Sequence, residues 1–128
     1  MSIAQSIRPM PILLEKEVTL AATSGTAVGI SVPAGTYVLV AGFQNYTAVP
    51  DVTTYTLDVT DGTTVFSNDL NFDNTAANTI KAGTTAGLIS AADTIDVVTT
   101  ISGRVWALVI DLNQGTRTAA SVDREQLA

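Results

Sequence analysis

Apolar and polar residues alternate with a period of two through most of the chain, which puts successive side chains on opposite faces of extended strands rather than along one stripe of a helix. Val18 and Leu20 alternate with polar neighbours, and Val28, Ile30 and Val32 do so again with Gly29 among them. Pro33-Ala34-Gly35 supplies a fixed φ followed by a residue free to take positive φ, and so predicts a tight turn. The run from Thr36 to Phe43 is then apolar on both faces, as expected of a strand inside a sandwich or under a partner. Between Thr53 and Thr60, Tyr55, Leu57 and Val59 share one face while Thr54, Thr56 and Asp58 share the other. Asp61-Gly62 predicts a hairpin from there into Thr63-Thr64-Val65-Phe66.

A polar stretch from Ser67 to Asn78 separates these strands from Ile80 and from Gly87-Leu88-Ile89-Ser90. Ala91-Ala92-Asp93 turns the chain into a segment in which Ile95, Val97, Thr99 and Ile101 share a face. After a break at Ser102-Gly103, Arg104 to Leu112 is nearly continuous in apolar residues, and Trp106, alternating there with Leu108 and Ile110, is expected in the core. Seven or eight short strands with turn signals between them, and no amphipathic helix, predict an all-β antiparallel sandwich or barrel.

The ends of the chain read differently from its middle. Arg8-Pro9-Met10-Pro11 removes two backbone donors and biases Arg8 and Met10 toward extended backbone, so residues 1–14 are expected to form an extended N-terminal arm. Residues 15–113 are assigned to one β-sandwich domain and residues 114–128 to a polar tail, where Ser121 to Glu125 offers no more than a short helical turn.

Composition narrows the function classes. Of 128 residues only 14% are charged, so the exterior must be rich in Thr, Ser, Asn, Ala and Gly, side chains that lose less on desolvation than Lys or Glu. The net charge of −6 and pI near 4.2 leave too few cations to neutralise a phosphate backbone, so nucleic acid is not an expected partner. No apolar run reaches membrane-spanning length, and Met1 to Pro9 lacks the pattern of a secretory signal. The chain has neither His nor Cys, which removes imidazole-based triads, thiolate nucleophiles and nearly all zinc chemistry; no enzyme activity and no cofactor are expected.

Carboxylates remain to be weighed. Asp69, Asn71 and Asp73 place oxygen donors at alternate positions, as the first half of a calcium loop does, but Asn74 stands where such a loop needs Gly and Ile80 where it needs Glu. A loop held by Asx turns accounts for the same residues. Asp58, Asp61, Asp93 and Asp96 offer acid pairs for glycoside hydrolysis, yet aromatics to stack on sugars make up only 5% of residues, and strand alternation puts Asp58 and Asp96 on solvated faces. Asn45-Tyr46-Thr47 fits a glycosylation sequon and, without a secretory signal, is read as chance.

Two phrases carry a resemblance. Ser31-Val32-Pro33-Ala34-Gly35-Thr36-Tyr37-Val38-Leu39 resembles a Pro-small-Gly-Thr-Tyr hairpin that recurs in small jelly-roll domains. Gly87-Leu88-Ile89-Ser90-Ala91-Ala92-Asp93-Thr94-Ile95-Asp96-Val97 resembles their Leu-x-x-small-small-Asp-Thr-Ile corner, with Ala92 where such corners usually carry Gly. With the late apolar strand ending at Ile110, the layout from Glu15 to Leu112 looks like the jelly-roll modules of virion decoration proteins and of trimeric tumour-necrosis-factor or C1q-like heads. The small, acidic, His-free and Cys-free chain with its leading arm is most similar to the capsid decoration (cement) proteins of tailed bacteriophages.

That resemblance implies an antiparallel β-sandwich of jelly-roll type with an extended N-terminal arm. It implies a homotrimer that is made in the host cytoplasm, binds the major capsid protein and sits on the outer surface of the virion. Ile3, Ile7, Met10, Ile12 and Leu13 would then anchor the arm, Pro9 and Pro11 would reduce the entropy lost on ordering it, and Arg8 would pair with a carboxylate of the shell. The alternative is a carbohydrate-binding or host-attachment module of a tail or head fibre. It requires exposed aromatics beside Asp and Asn, for which Tyr46, Tyr55, Phe72 and the 69–74 loop are the candidates.

Overall fold

The period-two pattern becomes strands wherever one row of side chains can be covered. The computed structural model describes residues 10–18, 27–50, 55–99 and 101–112. Among these lie nine strands: β1 (Ile12–Val18), β2 (Ala27–Val32), β3 (Thr36–Asn45), β4 (Thr56–Thr60), β5 (Val65–Asn71), β6 (Ile80–Ala82), β7 (Gly87–Ile89), β8 (Asp93–Val98) and β9 (Gly103–Asp111). They form two antiparallel sheets packed face to face. One has the order β1-β9-β3-β6, with β7 also pairing β3, and the other has the order β2-β8-β4-β5. The chain passes from one sheet to the other at each connection except the β4–β5 hairpin and the link from β6 to β7.

The core is the space between the sheets. Val38, Ala41 and Phe43 of β3 and Val105, Ala107 and Val109 of β9 face Val28, Ile30 and Val32 of β2, Leu57 and Val59 of β4, and Ile95 and Val97 of β8, all of them buried. Phe43 meets Phe72 edge to face, with ring centroids 5.6 Å apart and planes at 89°, the arrangement the ring quadrupole favours. The expected inward rows of Leu57 with Val59 and of Ile95, Val97 and Thr99 are thus observed.

Turns follow their residue chemistry. Gly35 takes φ 88° after Pro33-Ala34, and Thr36 Oγ1 donates back to the Pro33 carbonyl over 2.8 Å. Gly62 takes φ 90° in the β4–β5 hairpin, where Asp61 Oδ1 accepts from the amides of Thr63 and Thr64. Asn45, fully buried at the end of β3, donates to Thr47 O, Ala76 O and Thr75 Oγ1 and accepts from the Thr79 amide, so one side chain ties two loops together.

Four details correct the sequence reading. The strand that begins the sandwich starts at Ile12 rather than Glu15, because Ile12, Leu13 and Leu14 already pair with Val109, Leu108 and Ala107. The Pro33–Gly35 turn joins strands of different sheets and is not a hairpin, since β2 pairs β8 and β3 pairs β9. The polar stretch after Phe66 continues β5 to Asn71, its inward positions taken by Phe66, Ser67 and Leu70 across an irregular register. Trp106 lies outside the core: β9 buries Val105, Ala107 and Val109, while Trp106, Leu108 and Ile110 form its other, half-exposed row.

Phe43 lies at the centre of this packing, so Phe43→Ala is expected to cost about 3–5 kcal/mol of unfolding free energy in urea titrations, the range for deleting a buried aromatic ring.

Candidate interaction face

The outward rows of the five-stranded sheet assemble into one surface. Register places Leu13, Leu108 and Val40 side by side across β1, β9 and β3. The next row on that face is Glu15, Trp106 and Gly42, followed by Glu17, Arg104, Gln44 and Ile80. At the other end Tyr37 stands between Ile110 and Leu88. Leu13, Ile80 and Leu88 are 58%, 62% and 51% exposed, so these large apolar groups stand in solvent rather than under another part of the described chain.

The floor of this face depends on a missing side chain. At Gly42 a Cβ would collide with the Lys81 carbonyl and come within 2.7 Å of Trp106 Cζ2, so only glycine lets the indole lie across β3. Beside the ring is a groove of about 320 Å³ lined by Leu13, Glu15, Gln44, Ile80, Arg104 and Trp106. The indole Nε1 is buried and meets no acceptor among the described residues.

Arg104 organises the polar end. Its Nη1 donates to both carboxylate oxygens of Glu15 (2.8 and 2.9 Å), its Nε donates to Gln44 Oε1 (2.7 Å), and its guanidinium carbon sits 6.0 Å from the centre of the Tyr46 ring. Burial, reinforced by the Glu17 carboxylate and only partly opposed by Arg104, raises the Tyr46 phenol above its ordinary value. The Arg104–Glu15 pair is solvated, with side chains 35% and 45% exposed, so it orients the groups more than it stabilises the fold.

Charge is divided between the two sides of the sandwich. Among the described residues, the five-stranded sheet carries Glu15, Glu17 and Asp111 against Lys16, Lys81 and Arg104, three of each sign. The four-stranded sheet and the turns leaving it carry Asp58, Asp61, Asp69, Asp73, Asp93 and Asp96 with no cation. Its outer surface has a hollow of about 340 Å³ lined by Thr56, Leu57, Asp58, Thr60, Asp69, Asp96 and Val98.

The residues singled out from the sequence disperse over this frame. Ile3, Ile7, Arg8 and Pro9 lie outside the described residues. Met10 and Pro11 are exposed ahead of β1, and Ile12 and Leu13 are part of β1 itself, with Leu13 on the apolar face. Asp69 and Asn71 belong to β5 and Asp73 to the turn after it. The Asp69 amide donates to Asp58 Oδ1, and Asn71 Oδ1 accepts from the Asp73 amide as an Asx turn does, while Asp73 Oδ1 is buried with no partner among the described residues. No group of three or more acidic side chains able to hold a metal ion occurs among the described residues.

The aromatics named for glycan binding do not form a platform. Phe72 is fully buried against Phe43, Tyr55 packs on the core with its hydroxyl against Thr99 Oγ1, and Tyr46 is half-buried by Arg104. Sequence reasoning marked β3 as apolar on both faces and β9 as nearly continuous in apolar residues but did not bring them together as one outer face. Two neighbouring strands, β3 and β9, are apolar in both of their rows.

No protein-family model matches the chain, and no curated protein or solved structure shows a significant match to it.

Gly42→Ala is expected to push the indole off β3, lowering unfolding free energy by about 1–3 kcal/mol, as overpacking does, and shifting Trp106 fluorescence to longer wavelength. Glu15→Gln is expected to cost less than about 1 kcal/mol in the same titration, as removal of a solvated ion pair does.

Proposed function

We propose that the chain is a structural subunit of a virion coat, a decoration or cement protein that works by contact area rather than by turnover. The observation that carries this reading is the sidedness of the sandwich, with one outer face largely apolar and charged only by Glu15, Glu17 and Arg104, and the other carrying Thr56, Thr60, Asp58, Asp69 and Asp96 with no cation among the described residues. A subunit of this kind presents one surface for burial and another for solvent. The jelly-roll assignment is supported by the strand order, β1-β9-β3 with β6 and β7 at its edge, facing β2-β8-β4-β5. Alternation of the chain between sheets supports the paired Greek-key connections expected of that fold.

In this reading the shell contact belongs to the arm. Met10 and Pro11 lie exposed ahead of β1, and the residues before them include the apolar Ile3 and Ile7 and the cation Arg8. Pro9 and Pro11 restrict the arm before it docks and reduce the entropy lost on binding. Many copies on one shell then convert modest contacts into a stable coat. The partner is the major capsid protein, and the acidic side of the sandwich faces outward.

Deletion of residues 2–9 leaves β1 intact, so it separates arm function from folding. The full chain is expected to co-sediment with purified capsid shells and the deletion variant to remain in the supernatant with an unchanged circular-dichroism spectrum. Undiminished sedimentation of the variant would rule out the arm as the shell contact.

A further inference from the structure

We infer that the outer face of the five-stranded sheet is covered by a second copy of this chain. This rests on the coat-subunit reading and names the partner of its apolar face. The face spans four strand positions, β1, β9, β3 and the β6/β7 edge, and β9 runs its full length of nine residues. At about 4.8 Å between strands and about 3.4 Å per residue, it offers roughly 600 Å² per copy. Two such faces bury about 1,200 Å² together, the lower bound for a specific and stable protein–protein interface.

Charge selects the occupant. Each copy carries −6 overall, so identical chains repel unless their acidic sides are kept apart. Of that sheet's charged residues only Glu15, Glu17 and Arg104 stand in its outward rows, whereas Asp58, Asp69 and Asp96 line the hollow on the far side of the other sheet. Sheets stack about 10 Å apart, so apolar faces turned toward each other leave the acidic sheets about 30 Å apart, well beyond the Debye length of about 8–10 Å. Copies arranged in a ring with these faces inward likewise direct every acidic side outward.

The contact made this way is apolar at its centre, where Leu13, Trp106 and Leu108 lie, and polar at the Glu15–Arg104–Gln44 end. It is the composition that buries best, a dry middle with hydrogen-bonded groups at the rim.

Sedimentation equilibrium of the full chain tests the proposal. The wild type is expected to associate at micromolar concentration and to keep its association in about 1 M salt, because charge pairs contribute little to an apolar contact. Leu108→Glu is expected to weaken self-association at least tenfold. Leu13→Glu and Ile80→Glu, at more exposed positions that a folded monomer tolerates, are expected to do the same with unchanged circular dichroism. Thr56→Glu on the acidic side is expected to leave association as it is. A wild type that is monomeric at about 100 µM, or association equally strong in the Leu13 and Ile80 variants, overturns the proposal. A monomer that still coats shells overturns this contact and leaves the coat reading standing; an oligomer that never sediments with shells does the reverse.

Discussion

β9 is apolar in both of its rows, and that constraint governs the architecture around it. A strand covered on one side alternates apolar with polar; one that does not alternate needs cover on both sides. The inward row, Val105, Ala107 and Val109, is covered by the four-stranded sheet, and its small side chains leave room for Phe43 and for the branched residues of β2 and β8. β9 pairs with β1 from Gly103 to Val109 on one side and with β3 on the other, which keeps the strand in the middle of its sheet. The outward row has no such cover among the described residues. Trp106, Leu108 and Ile110 extend instead into a contiguous apolar surface of the kind monomeric proteins rarely leave exposed unless it binds something.

The acidic side is the counterpart of that surface. Several of its aspartates serve the backbone directly: Asp61 Oδ1 caps the β4–β5 turn, Asp93 Oδ1 accepts from the Thr94 amide, and Asp58 Oδ1 accepts from the amide of Asp69, which sits at positive φ beside an irregular stretch of register. Turn chemistry therefore draws carboxylates to one sheet, and the charge accumulates there as a consequence. A chain with few charged residues keeps one side strongly hydrated and leaves the other nearly neutral.

Much of the fold could be read from local chemistry. The Asp61-Gly62 hairpin, the turn at Gly35 and the inward rows of β4 and β8 follow from period two and from residues that accept positive φ. What escaped was set by tertiary pairing. Nothing in Pro33-Ala34-Gly35 says that the strands on either side enter different sheets, because a tight turn serves both outcomes. The length of β5 was hidden because Ser67 buries its hydroxyl against the Ala41 carbonyl, a polar residue satisfied across the core. Trp106 was misplaced for a related reason: when both rows of a strand are apolar, alternation cannot say which faces inward, and the narrow space between the sheets selects Ala107 over the indole. The arm residues Ile3, Ile7, Arg8 and Pro9 fall outside the described structure.

β1 decides which part of this molecule is open to association. Among the described residues it is an edge strand, and an unpaired edge invites strand addition unless something discourages it. Glu15, Lys16 and Glu17 put three successive charges there, which any partner strand would have to desolvate. The same strand turns Leu13 onto the apolar face and aims Glu15 at Arg104, closing the polar end of the groove. One short strand thus discourages pairing along its own edge and furnishes part of the face. Because the chain enters β1 directly from Met10 and Pro11, any contact made at those two residues is joined to the strand that borders that face.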